Sequence, residues 1–161
     1  MNYYSANNYK AIAAPISVAM AILYQNGKFL MQLRDNIPNI YYPGVWGLFG
    51  GHLEPEEAPN VGLKRELLEE INYSAERLKE FRCYQDSKIV RHIFHAPLSV
   101  DLSSLELNEG WDLDLVSIED IRRGRCYSKR ARQEKALGSI HQKILLDFLF
   151  EFKKDTSIFF S

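Results

Sequence analysis

The chain has 161 residues, of which 46% are hydrophobic and 25% charged; this length suits one domain with a sizeable core, expected to span residues 1–161. A net charge of −1 provides no global field to attract nucleic acid or an anionic membrane, so neither is an expected partner. Two cysteines, Cys83 and Cys126, are too few for a disulfide scaffold, and a reduced cytoplasmic compartment is the default.

Residues 1–10 are polar and aromatic and read as a loose start. The apolar run Ala11–Leu23 is interrupted by Pro15 and preceded by one cation, Lys10. It is too short to span a membrane and lacks the charged start of a signal peptide. Ile16–Tyr24 reads instead as a buried strand. Asn26-Gly27 is a strong hairpin signal, and Lys28–Arg34 is the returning strand, with Phe29, Met31 and Leu33 alternating against Leu30 and Gln32. Asp35–Val45 is a loop punctuated by Pro38 and Pro43-Gly44. Its Tyr41 and Tyr42 either stack on a ligand ring or pack the loop onto the sheet. Trp46 reads as a structural anchor ahead of the glycine pair Gly50-Gly51.

The next helix is opened by Glu57 and carries Pro59 in its first turn, where a missing N–H costs nothing. Successive residues turn by about 100°. Glu66, Glu69 and Glu70 therefore share one face, while Leu63, Leu67, Ile71, Leu68 and Val61 share the opposite one. Carboxylates at these spacings repel, and Arg65 is one cation against three acids. Such a cluster raises its own pKa values unless a cation is present, and a divalent metal preferring hard oxygen ligands is the natural counter-ion. Gly62 lies one turn before Glu66, where a missing side chain would let a ligand or metal come close. The competing reading is a solvated acidic face.

Leu78–Tyr84 and Ile89–Leu98 read as a hairpin around Gln85-Asp86-Ser87. The odd spacing of His92 and His95 sends them to opposite faces of a strand, which argues against a shared metal. Leu105–Leu107 is followed by the acidic turn Asn108-Glu109-Gly110-Trp111 and the apolar strand Leu113–Val116. Ser117–Asp120 is a capped helix start. Arg122–Lys135 holds seven cations; they form a phosphate-holding patch or, as is more usual, a solvated face. Leu137–Phe152 closes the fold as an amphipathic helix with Ile140, Ile144, Leu145, Phe148 and Leu149 on one stripe. Strands, then a helix, then strands and a helix give a layered mixed α/β domain.

Gly51, Glu57, Arg65, Glu66, Leu67, Glu69, Glu70 and Tyr73 resemble the Nudix box, G-x5-E-x7-R-E-U-x-E-E-x-G-U, where U is bulky and apolar. Asn72 stands in place of the last glycine; that position closes the helix in a left-handed conformation, for which Asn is the usual second choice. Phe49 replaces the proline of the W-x-x-P-G-G that often precedes the box, and Glu56 stands where glycine is usual. The resemblance implies a Nudix α/β/α sandwich with a mixed sheet and the box as a loop–helix–loop. It implies a MutT-like hydrolase that cleaves the pyrophosphate of a nucleoside diphosphate linked to another group. Magnesium, or manganese, would be held by Glu66, Glu69, Glu70 and the carbonyl of Gly50. Arg65 and Glu57 would brace the loop against the helix. Glu109, with Glu106 second, would be the extra acid of the late loop, and the general base would be Glu109 or a box glutamate. Nucleoside triphosphates and nucleotide sugars are the favoured substrates, with ADP-ribose and dinucleoside polyphosphates as further candidates. Two other classes stay open. One is a nucleotide-sensing binding protein of the same fold, although no box acid is lost here. The other is the isopentenyl diphosphate isomerase branch, although Cys83 and Cys126 sit in no matching setting. The oligomeric state is not encoded in any motif.

Overall fold

Strand β1 (Ile16–Gln25) is the axis of a seven-stranded mixed sheet. The structure, a computed structural model, describes residues 14–159; the reading of residues 1–10 as a loose start lies outside them. Strand β2 (Lys28–Leu33) returns antiparallel from β1. The turn between them places Asn26 at φ 51° and Gly27 at φ 69°, the pair of positive φ values that a two-residue hairpin turn demands. Farther back, β1 exchanges this neighbour for β4 (Phe49–His52), from Ala21↔Phe49 to Val18↔His52. Its other edge pairs in parallel with β6 (Ile89–Pro97) over nine residue pairs. The short β3 (Trp46–Gly47) and β7 (Asp112–Ser117) both pair with β2, and β5 (Lys79–Gln85) forms the edge beyond β6. The expected strands are all present, with ends shifted by a residue or so.

Side-chain alternation along β1 and β2 divides the core between two faces. Ala19, Ala21, Leu23 and Leu30 pack with Leu63, Leu67 and Ile71 of α1 (Pro59–Ile71). Ile22, Tyr24, Phe29, Met31 and Leu33 pack with Ile144, Leu145 and Phe148 of α3 (Ser139–Glu151). This is the α/β/α sandwich. With a helix over each face, every residue of β2 from Phe29 to Leu33 is buried, including Gln32. Trp46 is fully buried and its indole N–H donates to the Cys126 carbonyl at 3.0 Å, which makes it an anchor. Phe49, in place of a proline, is core as well.

α1 begins at Pro59 with Ala58 as its N-cap, and no side chain caps it. Glu57 therefore does not open the helix and lies in the loop before it. Asn72 closes the helix at φ 51°, ψ 38°, with its N–H on the Leu68 carbonyl, the left-handed stop that glycine or asparagine provides. Glu56 also holds a left-handed φ, 63°, at the position where glycine was expected. Two further expectations for α1 fail. Val61 and Leu68 are 54% and 52% exposed, because the sheet covers only the Leu63–Leu67–Ile71 stripe. A Cβ on Gly62 would stand 2.5 Å from the Leu53 side chain and 2.7 Å from the Glu57 carboxylate; Gly62 lets the preceding loop lie against the helix and opens no path to a ligand.

The basic segment is a solvated face, with Lys135 alone of its seven cations half-buried. After α2 (Ile118–Arg123), N-capped by the Ser117 hydroxyl, it folds into the hairpin β8 (Arg125–Ser128) and β9 (Gln133–Ala136). Its cations are largely spent on acids. Arg123 pairs with Asp120 and Glu134, Lys129 with Asp114, and Arg130 with Asp112, while Lys135 lies over the Trp111 ring. α4 (Thr156–Phe159) ends the described chain, with Ile158 buried in the α3 layer. No described helix is long and apolar enough to cross a membrane.

His95 and His92 point to opposite sides of the sheet as expected. His95 is buried beside Tyr24 and Phe148, and His92 borders the groove under the loop before α1. A third histidine, His141 on α3, is buried, and its Nδ1 accepts the Leu48 N–H at 3.2 Å. Burial, and then the charges of Arg34 and Arg91, push its pKa down to about 4. In the unfolded chain it titrates near 6.5. Between these values the unfolded state binds the extra proton, so stability is retained above about pH 6.5 and falls at about 1.4 kcal/mol per pH unit below it. The difference in urea midpoint between parent and His141→Asn, whose amide oxygen can replace Nδ1, is expected to shrink from pH 7 to pH 4.5. A constant difference would show that His141 is not the titrating group.

Candidate functional site

The glycine pair sets how closely α1 approaches the sheet. Gly50 lies at φ 135°, and a Cβ there would stand 2.0 Å from the Ala19 carbonyl oxygen. Only glycine fits, and the backbone so placed directs the Gly50 N–H to Glu70 Oε2 at 3.0 Å. A Cβ on Gly51 would fall 2.5 Å from the Glu66 carboxylate. The pair thus leaves a cradle beside β4 into which the acids of α1 reach.

The three helix acids meet different surroundings. Glu70 is buried at 6% exposure, and Gln32 Nε2 approaches its Oε1 at 3.4 Å. Burial pushes its carboxyl up to about 8, and the charges of Glu66 and Glu109 push the same way, against the Gly50 N–H and Gln32. Glu66 is largely covered and Glu69 is exposed. Arg65 gathers the outer acids: its Nη1 lies 2.9 Å from Glu66 and 3.4 Å from Glu69. Its Nε and Nη2 grip the two oxygens of Glu57, each at 2.9 Å, and Nη2 also donates to the His52 carbonyl at 3.1 Å. The fork–fork hydrogen bonds to Arg65 hold the Glu57 carboxyl down to about 2. As the side chains stand, no group of three His, Cys, Asp or Glu among the described residues forms a metal-holding cluster.

Arg65→Ala removes every one of these contacts together. The variant is expected to melt below the parent and to lose roughly 10-fold or more in turnover, the range for losing a group that orients a metal ligand. Unchanged melting temperature and rate would show that the brace has no such role.

Glu109 arrives from the late loop, which the end of α1 docks. The last carbonyls of a helix have no partner within it. Here Asn108 Nδ2 donates to the Glu69 carbonyl at 2.9 Å, the Asn108 N–H to the Glu70 carbonyl at 2.9 Å, and the Glu106 N–H to the Ile71 carbonyl at 3.2 Å. Asn108 thereby fixes the residue after it, and Glu109 joins Glu66 and Glu70 in lining one cavity of about 260 Å³. Glu106 does not line it, and neither does Glu69.

Of the rest of that cavity's lining, beyond the glycine pair, only Tyr41 and Tyr42 had a signal in the sequence. Arg34 and Arg91, Tyr41 and Tyr42, and His141 line the cavity over an apolar floor that includes Val18, Met20 and Leu48. Tyr41 is 61% exposed, and Tyr42 sets its ring edge-on to His141 with centroids 5.8 Å apart; these tyrosines border an open space and do not seal the loop to the sheet. Arg34, Arg91 and His141 lie on separate elements with no spacing to connect them. The acids and these residues together line a site that suits a ligand carrying both phosphate and a flat or apolar group.

A NUDIX domain model matches residues 14–137 of this chain. No curated protein sequence matches it. Among solved structures, the MutT protein from Methanosarcina mazei Go1 superposes with a TM-score of 0.67 at 21% identity, covering 88% of this chain and 99% of its own. The NUDIX domain of Shewanella oneidensis NrtR, complexed with ADP ribose, gives 0.66 at 18% identity, covering 90% and 94%. A bifunctional NMN adenylyltransferase/ADP ribose pyrophosphatase from Francisella tularensis, complexed with AMP and a Mn ion, gives 0.60 at 22% identity, covering 86% of this chain and 42% of its own.

Proposed function

We propose that this chain, which belongs to the Nudix family and is a pyrophosphohydrolase of that type, acts with magnesium, or manganese in its place, on a nucleoside triphosphate or a nucleotide sugar. The observation that carries this reading is the convergence of Glu66, Glu70 and Glu109 on a single cavity, beside the Gly50-Gly51 cradle.

The residues present fit a hard divalent cation. The donors are all oxygen, the set such an ion prefers. Burial, and then the charges of Glu66 and Glu109, raise the Glu70 carboxyl, and a cation beside it would favour its charged form. The missing Cβ at Gly51 is what lets the Glu66 carboxylate lie against β4. Glu66, Glu70 and the Gly50 carbonyl would hold the ion, and Glu69 would join by turning off Arg65. When bound, magnesium neutralises phosphate oxygens and acidifies water.

The chain's own groups divide the remaining work. Gly50 N–H and Gln32 orient Glu70. Arg65 and Glu57 tie the preceding loop to the helix and so fix the cradle. Glu109 is exposed and has no ion pair or side-chain hydrogen bond among the described residues, which leaves its carboxylate free to take a proton from the attacking water. Two free cysteines, one buried, suit a cytoplasmic setting.

The deciding experiment is a hydrolysis panel with magnesium, covering nucleoside triphosphates, nucleotide sugars, ADP-ribose and dinucleoside polyphosphates, read by phosphate release after coupling to a phosphatase. Turnover of a triphosphate or nucleotide sugar that stops in excess chelator is the expected result. Hydrolysis undiminished by chelator would overturn the metal assignment. Turnover confined to ADP-ribose or dinucleoside polyphosphates would overturn the substrate assignment.

A further inference from the structure

One part of the cavity lining, Arg34, Arg91 and His141, brings donors and few acceptors. Arg34 spends one N–H on the Tyr41 carbonyl at 2.8 Å and has no acidic partner among the described residues. Its two terminal nitrogens make no other hydrogen bond there. Arg91 is 7% exposed at its side chain and pairs with Asp86 at 2.7 Å. The Asp86 carboxylate also accepts the N–H groups of Lys88 and Ile89, so it is not free for a ligand. His141 Nδ1 accepts the Leu48 N–H, which places the ring proton on Nε2 and makes that atom a donor. An arginine fork has no acceptor atom at all.

Such a lining suits an acceptor-bearing partner. A bare anion fits the charge but not the setting, because the floor is apolar and Tyr42 supplies a ring wall. A flat heterocycle with carbonyl oxygens at its edge satisfies both. Guanine offers O6 and N7 as a pair that an arginine fork grips with two hydrogen bonds, whereas adenine presents an amino group at the same place. Uracil and thymine offer O4 where cytosine offers an amino group. An amino edge would set N–H against N–H and leave both desolvated without a partner.

We propose that this part of the cavity reads the nucleobase and selects bases with a carbonyl at purine position 6 or pyrimidine position 4, with guanine strongest, and that Arg34 is the selecting residue. The proposal rests on the reading of the substrate as a nucleotide. It narrows that substrate to guanine and uracil or thymine derivatives.

Nucleoside monophosphates test it without turnover, since they contain no pyrophosphate to cleave. Calorimetric titration of GMP, UMP, AMP and CMP is expected to show GMP binding roughly 10-fold or more tighter than AMP, the range of one good fork contact, with UMP ahead of CMP. Arg34→Met should remove that preference while leaving AMP binding within about twofold, at the scale of unaffected contacts. Arg34→Lys keeps the charge but not the fork, and should also lose most of the preference; it carries the test if Arg34→Met does not fold. Four equal affinities, no binding of any monophosphate, or a guanine preference that survives both variants would overturn the proposal. So would an Arg34→Met variant that weakens all four nucleotides and inorganic phosphate equally, the signature of an anion seat. The two readings fail separately. Selective binding without hydrolysis of any panel substrate would sink the reaction and leave the base reading intact. Hydrolysis with no base preference would do the reverse.

Discussion

Glu66→Gln is expected to lower kcat by more than about 100-fold while leaving the fold in place, because losing even a group that merely supports a metal ligand costs up to that much. Glu66 is the acid beside which Gly51 has no room for a Cβ, so the cradle is shaped around its carboxylate. Glutamine has the same shape and leaves the backbone undisturbed. It removes one negative charge and one of the two oxygen acceptors, which is the part of Glu66 a divalent ion needs. The ion pair with Arg65 at 2.9 Å is lost as well, but Arg65 retains its two-oxygen grip on Glu57, so the melting temperature should move by only a few degrees. Titrating the variant with magnesium should show the apparent metal affinity falling together with kcat. A variant with parental kcat at saturating magnesium would remove Glu66 from the site and leave Glu70 as the inner ligand.

Glu109→Gln is the second large effect. General-base catalysis contributes on the order of 10²–10⁴-fold, and a loss of that size in kcat with KM nearly unchanged is expected. The position of Glu109 does not depend on its own side chain. Asn108 pins the backbone to the end of α1 through two hydrogen bonds, so the substitution alters the chemistry and not the placement. A loss confined to KM would assign Glu109 to binding. A rate within about twofold of the parent, far below the general-base range, would return that role to a box glutamate.

The parts of this site that were legible in the sequence are those carried by short-range spacing. The acidic residues of α1, the glycine pair and the left-handed stop at Asn72 all lie within one stretch, where helical geometry relates them directly. The turn at Asn26-Gly27 was legible for the same reason. Helical angle, however, gives a direction and not the extent of cover. Val61 and Leu68 lie on the apolar side of α1 and still face solvent, and Glu69 shares an arc with Glu66 and Glu70 yet stands outside the cavity. Gly62 looked like an opening for a ligand because its contact, Leu53, comes from a loop whose path no local pattern specifies. The hairpin β8–β9 was hidden within a run of cations because the acids that neutralise them include Asp112 and Asp114 of β7, well upstream in the chain. Arg34, Arg91 and His141 come from the end of β2, from β6 and from α3, and neither periodicity nor spacing connects them.

The parallel pairing of β1 with β6 also governs the order in which the molecule can assemble. Its partners, from Ile16↔Ile89 to Tyr24↔Pro97, stand 73 residues apart along the chain, and the loop they close contains β2, β4, α1 and β5. Closing so long a loop costs entropy before the pairing returns any stabilisation, and such non-local contacts slow folding. The hairpin of β1 and β2 closes over two residues and can form early. The acids of α1 and the guanidinium of Arg91 come to one cavity only after β6 has docked. Nascent chains truncated before β6 would therefore carry the whole glutamate-rich helix and still lack a complete cavity, so ligand binding reports on completed folding and not on the presence of the motif.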